Sequence, residues 1–208
     1  MTKKQKVKKI IERLSQIYPH PTTTLHYTTP LQLLIATILS AQANDKVVNQ
    51  VTPELFQKYK SAEALAKADI KELALDLGKI NFRNNKAKNI IAACKIITQK
   101  YNGEVPSTMQ ELDALPGVAR KTANVVLGNA FHKAEGIVVD THVIRLSQKL
   151  GLTDSKDPVK IEQDLMKIVP KDKWIDFSHL LINFGRDYCP ARPHKYDPCP
   201  LGHLCPDS

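Results

Sequence analysis

Apolar residues recur along most of this chain at the three-and-four spacing of an α-helix. Near the start, Val7, Ile10, Ile11, Leu14 and Ile17 share one face, and Lys3, Lys4, Lys6, Lys8 and Lys9 crowd the same stretch. Pro30–Ser40 is apolar on nearly every side and reads as a buried helix with proline at its first position. Asp45 is placed to cap a helix running toward Tyr59. Residues 61–67 and 69–77 read as short helices, the second stopped by Gly78. Ala87, Ile90, Ile91, Cys94, Ile97 and Tyr101 line one face of a long helix ending at Asn102-Gly103, which makes Cys94 a core residue. Ser107-Thr108-Met109-Gln110 fits a capping box and opens a helix that ends near Ala114. Another helix runs from about Arg120 to Ala130. Asp140 or Thr141 caps one closing at Gly151, and Asp157-Pro158 starts the next. Residues 171–184 form the last long helix, stopped by Gly185. Strand signals are nearly absent, so an all-α fold is expected.

The 208 residues suffice for one large domain or two small ones, and 42% hydrophobic content supports a substantial core. Lysine and arginine number 30 against 21 acidic residues, a net charge of +9. That surplus favours a polyanionic partner, although a solvated basic surface gives the same sum. No apolar run approaches the roughly 20 residues of a membrane span. The lysine-rich start is helical in its spacing and reads as structure, not as a targeting peptide. A cytoplasmic, nucleoid-associated protein without a membrane partner is expected.

Chemistry concentrates in Leu115-Pro116-Gly117-Val118-Ala119-Arg120-Lys121-Thr122-Ala123. Pro116 stiffens a turn, and Gly117 supplies a position free of Cβ where backbone can approach a phosphate or take φ > 0. The turn feeds directly into a helix, whose N-terminus is an anion site. Lys121 falls in the first turn of that helix beside Arg120. The helix dipole and the neighbouring cation both favour the free amine there, the form a Schiff-base lysine needs. A lysine contacting phosphate is the simpler alternative. Asp140 changes that balance. A helix N-cap is its plain structural reading. Yet the apolar run Gly136-Ile137-Val138-Val139 carries this carboxylate inward, where it can stabilise positive charge on a sugar and move protons.

The segments from Leu115 to Asn124 and from Val139 to His142 resemble the signature of the endonuclease III family, within the helix-hairpin-helix DNA glycosylase superfamily. The similarity covers essentially the whole chain. It implies a base-excision-repair glycosylase with AP lyase activity, in which Lys121 attacks C1′ of a nucleotide bearing an oxidised pyrimidine. The base leaves, a Schiff base forms, and β-elimination cuts the strand 3′ to the lesion; Asp140 assists base departure. The resemblance assigns DNA contacts to Leu115, Gly117, Ala119 and Arg120, with Ala119 standing where a second glycine is usual. In Leu39-Ser40-Ala41-Gln42-Ala43-Asn44-Asp45 it implies that Gln42 fills the gap left by the flipped nucleotide. It aligns Phe82 with a second wedge that stacks on an exposed base, next to Asn81, where glycine is common. Core packing for Phe82 and a plain polar loop for Gln42 are the structural alternatives. The implied partner is double-stranded DNA with damaged pyrimidines or abasic sites, met by a monomer.

Cys189, Cys199 and Cys205 crowd the Pro-rich tail, where three thiols suit a metal clip. In the family the loop reads C-x6-C-x2-C-x5-C and binds a [4Fe-4S] cluster. These cysteines take its first, third and fourth positions, and the second falls on Tyr196. Iron–sulfur clusters prefer soft thiolates to a phenol. A cluster completed by Tyr196, His194, Asp197 or His203, a three-iron or labile species, free thiols, and zinc on three cysteines and a histidine all remain open.

The resemblance implies two helical lobes with a DNA-binding cleft between them. Residues 23–133 form one lobe with the hairpin, and residues 1–22 with 134–208 form the other. Lys121 and Asp140 then come from opposite sides. Two other functions compete: a monofunctional mismatch glycosylase, which typically lacks the lysine, and an inert helix-hairpin-helix DNA-binding protein, which has no use for Asp140.

Overall fold

A computed structural model describes residues 1–192 and 198–205. Helices occur throughout these residues and no strand does. In chain order they are α1 (Lys3–Ile17), α2 (Pro30–Ser40), α3 (Asp45–Lys58), α4 (Ala62–Ala66), α5 (Ile70–Asp76), α6 (Arg83–Lys100), α7 (Met109–Asp113), α8 (Arg120–Phe131), α9 (Thr141–Lys149), α10 (Pro158–Ile168) and α11 (Trp174–Asp187). The chain divides into two compact units, Met1–Thr22 with Ala134–Ser208, and Thr23–Lys133.

In the Thr23–Lys133 unit, α2 is the central element. Every residue from Leu33 to Leu39 is buried, as an all-apolar helix requires. It packs against α3, α6 and α8, while α4 and α5 lie on α6. Thr29 caps α2 by accepting from the Gln32 amide, and Pro30 stands at its first turn.

In the other unit, Val7, Ile10 and Leu14 of α1 join Val143 and Leu146 of α9, Ile161 and Leu165 of α10, and Phe177, Leu180, Leu181 and Phe184 of α11 in one core. Lys6 Nζ donates to the Leu150 carbonyl at 2.9 Å, tying α1 to the end of α9. The described part of the tail is anchored in the same core by Cys189, Leu201 and Leu204.

Three boundaries differ from the sequence pattern. Asn44, not Asp45, caps α3, its side chain accepting from the Lys46 amide at 2.9 Å. Thr108, not Ser107, caps α7, accepting from the Glu111 amide at 3.4 Å and donating to the Glu111 carboxylate at 2.6 Å. The last helix begins at Trp174, after a 3₁₀ turn over Lys171–Lys173, and runs through Gly185 to Asp187. Gly185 does not stop the helix. A Cβ there would lie 2.6 Å from His142 Nδ1 of α9, so the glycine lets two helices approach closely.

Candidate active site

The hairpin sits between α7 and α8. The Leu115 amide donates to the Leu112 carbonyl at 3.0 Å, and the Val118 amide to the Leu115 carbonyl at 3.1 Å, which closes a tight turn. Leu115 and Val118 point inward and are buried, while Gly117, Ala119 and Arg120 are exposed. Gly117 has φ +78°. Leu115 therefore anchors the turn, and the exposed residues present its backbone. Ala119 has an extended backbone, φ −103°, ψ 167°, and starts α8 without a side-chain cap, so its methyl group is compatible with the turn. A helix that starts without a side-chain cap is suited to an anion such as phosphate. Lys121 is exposed in that first turn.

Asp140 belongs to the other unit. It is half-buried and follows the buried residues 136–139. Its Oδ1 accepts from the Val143 amide at 2.9 Å, making it the N-cap of α9. One carboxylate oxygen thus serves the fold, and Oδ2 takes no part in that cap. Two residues that the sequence pattern did not single out support this segment. Ser178 of α11, fully buried, accepts from the Val138 amide at 3.0 Å and donates to the Trp174 carbonyl at 3.2 Å. His179, beside it on α11, is buried as well; burial lowers its pKa, while Asp176 and Asp140 raise it and Arg186 lowers it. Neither residue carries a motif, because both act through contacts distant in sequence.

Gln42 and Phe82 are both exposed, Phe82 at 64%, so core packing does not account for the aromatic. Phe82 borders an open hollow with Gly78, Lys79, Ile80, Arg83, Asn84 and Asn85. Cys94 is fully buried in α6, and desolvation pushes its thiol up to about 12, which keeps it inert at neutral pH.

In the tail, Cys189 is buried and Cys199 and Cys205 are partly buried against the same core. Burial raises the Cys205 pKa first of all, Lys149 lowers it, and the charges of Cys199 and Cys189 raise it, so the three thiols lie within electrostatic reach of one another. Lys149 Nζ donates to Cys189 Sγ at 3.6 Å and Arg145 Nη1 donates to it at 3.5 Å. Among the described residues no group of three or more His, Cys, Asp or Glu side chains is arranged to hold a metal ion. The donor set supplies three soft ligands, not four; Tyr196, His194 and Asp197 lie outside the described residues.

A family model, "HhH-GPD superfamily base excision DNA repair protein", matches residues 35–171. The chain belongs to this superfamily. Endonuclease III of Synechocystis is 52% identical across 100% of this chain and 94% of the relative. Endonuclease III of Escherichia coli K12 is 40% identical over 97% of this chain and 95% of its own length. A trapped endonuclease III–DNA covalent intermediate, solved as an estranged-adenine complex, is similar in structure. Its TM-score is 0.92 and its identity 42%, covering 100% of this chain and 97% of that one. Within the HhH-GPD superfamily the chain is thus a member of the endonuclease III family. Such iron–sulfur clusters are known in that family, and no described helix of this member is long and apolar enough to cross a membrane.

Proposed function

We propose that this chain is a bifunctional DNA glycosylase and AP lyase of base excision repair, acting on oxidised pyrimidines with Lys121 as nucleophile and Asp140 as its carboxylate partner. The observation that carries the reading is the exposed Lys121 in the first turn of an α8 that has no side-chain cap, directly after the hairpin. Backbone amides of the hairpin and the Arg120 side chain hold the DNA phosphates. Leu115 and Gly117 shape that contact, with Ala119 at its edge. Bound phosphate places a sugar near the amine.

The Lys121 amine, once deprotonated, attacks C1′ as the glycosidic bond breaks, and the base leaves with the bonding electrons and takes up a proton. Asp140 stabilises positive charge on the sugar with the oxygen that the helix cap does not use, and moves the proton. Ring opening gives an imine between Lys121 and C1′. Loss of a C2′ proton then expels the 3′ phosphate, and water releases the lysine. Damaged bases leave the stack more cheaply than sound ones, which is a source of selectivity. Gln42 fills the space the nucleotide vacates and Phe82 stacks on a neighbouring base.

Cys189, Cys199 and Cys205 would hold an iron–sulfur cluster, with Tyr196 at the second ligand position of the family's loop. A bound cluster supplies order to a basic loop and takes no part in bond breaking. The enzyme acts as a monomer on double-stranded DNA containing damaged pyrimidines or abasic sites, at the nucleoid in the cytoplasm.

Borohydride trapping tests the nucleophile. Wild-type protein is expected to become covalently linked to abasic and thymine-glycol DNA, and Lys121→Ala to lose at least about a hundredfold of that trapping. Equal trapping by Lys121→Ala overturns the lysine assignment. Tight DNA binding with no trapping by wild type supports an inert DNA-binding module instead.

A further inference from the structure

Gln42 and Phe82 lie on separate loops of one unit, the first just after α2 and the second just before α6. Both adopt left-handed backbone, φ 54° at Gln42 and 56° at Phe82. Residues with side chains rarely sit there, and they persist only where surrounding structure holds them. The position after a helix C-cap is usually glycine; here glutamine takes it and keeps its side chain exposed.

The contacts that hold these two loops form a closed circuit. Lys86, one turn into α6, is only 7% exposed. Its Nζ donates to the Leu39 carbonyl at 2.8 Å and the Ala41 carbonyl at 2.6 Å. These carbonyls end α2, where helical amides give out and the dipole is negative, so an ammonium fits both needs. Desolvation lowers the pKa of Lys86 from its ordinary value, a sign of how deeply it is set. Its own amide donates to the Phe82 carbonyl at 3.0 Å, which fixes the start of α6. From the other side, Asn81 Nδ2 donates to the Gln42 carbonyl at 2.9 Å. Arg83 closes the same turn, donating to the Gly78 carbonyl at 3.0 Å. Gln42 is therefore joined to Phe82 twice, through Asn81 and through Ala41 and Lys86.

We propose that Asn81 and Lys86 are positioning residues that fasten Gln42 and Phe82 into one two-pronged wedge, so that both side chains enter DNA in a single step. Neither touches the reacting atoms. A glycine at position 81 has no donor for the Gln42 carbonyl, so the Asn81 strap is a property of this residue and not of the loop backbone. The inference rests on the reading that Gln42 and Phe82 are the inserted residues.

The test uses the whole protein and a thymine-glycol duplex with 2-aminopurine beside the lesion, whose fluorescence reports unstacking. Asn81→Ala and Asn81→Asp, which is isosteric but cannot donate, are expected to lower the fluorescence rise and slow single-turnover excision about tenfold to a hundredfold. Affinity for undamaged duplex, set by phosphate contacts, stays within about twofold. Lys86→Arg retains donors and partly restores what Lys86→Met loses. If the wedge is one unit, Asn81→Ala adds little to Gln42→Ala, and the double variant is no slower than Gln42→Ala alone. Additive effects, or Asn81 variants that unstack and excise like wild type, overturn the proposal. Gln42→Ala and Phe82→Ala separate the two levels. If both excise at the wild-type rate, the insertion reading itself fails. If they are slow while the Asn81 variants are not, that reading stands and the coupling falls.

Discussion

Gly117 accepts no side chain without a shift in its surroundings. Its φ of +78° is strained for any other residue, and a Cβ there would lie 2.9 Å from the Asn89 Cβ on α6. Gly117→Ala is expected to cost about 1–3 kcal/mol, from the backbone term alone. It should also weaken binding to undamaged duplex, because relief of the clash moves the turn that presents amides to phosphate. Thermal unfolding and fluorescence anisotropy measure the two effects; an unchanged melting temperature and affinity would refute the tight packing against Asn89. The Pro-Gly pair made this turn legible in the sequence. The Asn89 contact was not, since nothing in either residue type records that they meet.

At the scale of the helix, Asp140 does two jobs that substitution can separate. Its Oδ1 accepts from the Val143 amide and caps α9. Asparagine caps a helix about as well as aspartate, whereas alanine loses about 1 kcal/mol. Asp140→Asn is therefore expected to melt close to wild type and to excise thymine glycol much more slowly. Asp140→Ala should be slow and also less stable. Undiminished turnover by Asp140→Asn refutes the carboxylate's role in base departure. The choice between Asp140 and Thr141 as cap was open in the sequence and fell to the aspartate. Elsewhere adjacent candidates competed and the pattern chose the neighbour. Ser107 and Thr108 each stand three residues before a side chain suited to a capping box, Gln110 and Glu111; only Thr108 caps, accepting from the Glu111 amide while its hydroxyl donates to the Glu111 carboxylate. Gly185 was misread for a deeper reason. A glycine that ends a helix and one that lets another helix approach look alike in one dimension, and His142, which decides the matter, is far away in sequence.

For the molecule as a whole, the tail poses the question of what orders a segment dense in proline and cysteine. Cysteine spacing suggested a metal clip, yet the described residues also contain a hydrophobic one. Leu201 is fully buried and Leu204 is 3% exposed, both within the core formed by α1, α9, α10 and α11. Those leucines were not legible as anchors, because a short apolar pair between cysteines has no period to read. Two devices with different chemistry predict different responses. Leu201→Ala removes buried volume and should cost about 2–5 kcal/mol whether or not iron is bound. Replacing Cys189, Cys199 and Cys205 with serine should remove iron and leave the leucine-anchored core folded, with weaker DNA binding from a loosened basic loop. Protein purified without oxygen is expected to carry about three to four irons and matching acid-labile sulfide per chain. Fewer than about one iron overturns the cluster. Tyr196→Cys sharpens the test, since it completes the four-thiolate set that such clusters prefer. Iron retained in air should rise in that variant if three thiolates already hold a cluster, and should stay at background if the thiols merely pack beside Lys149 and Arg145.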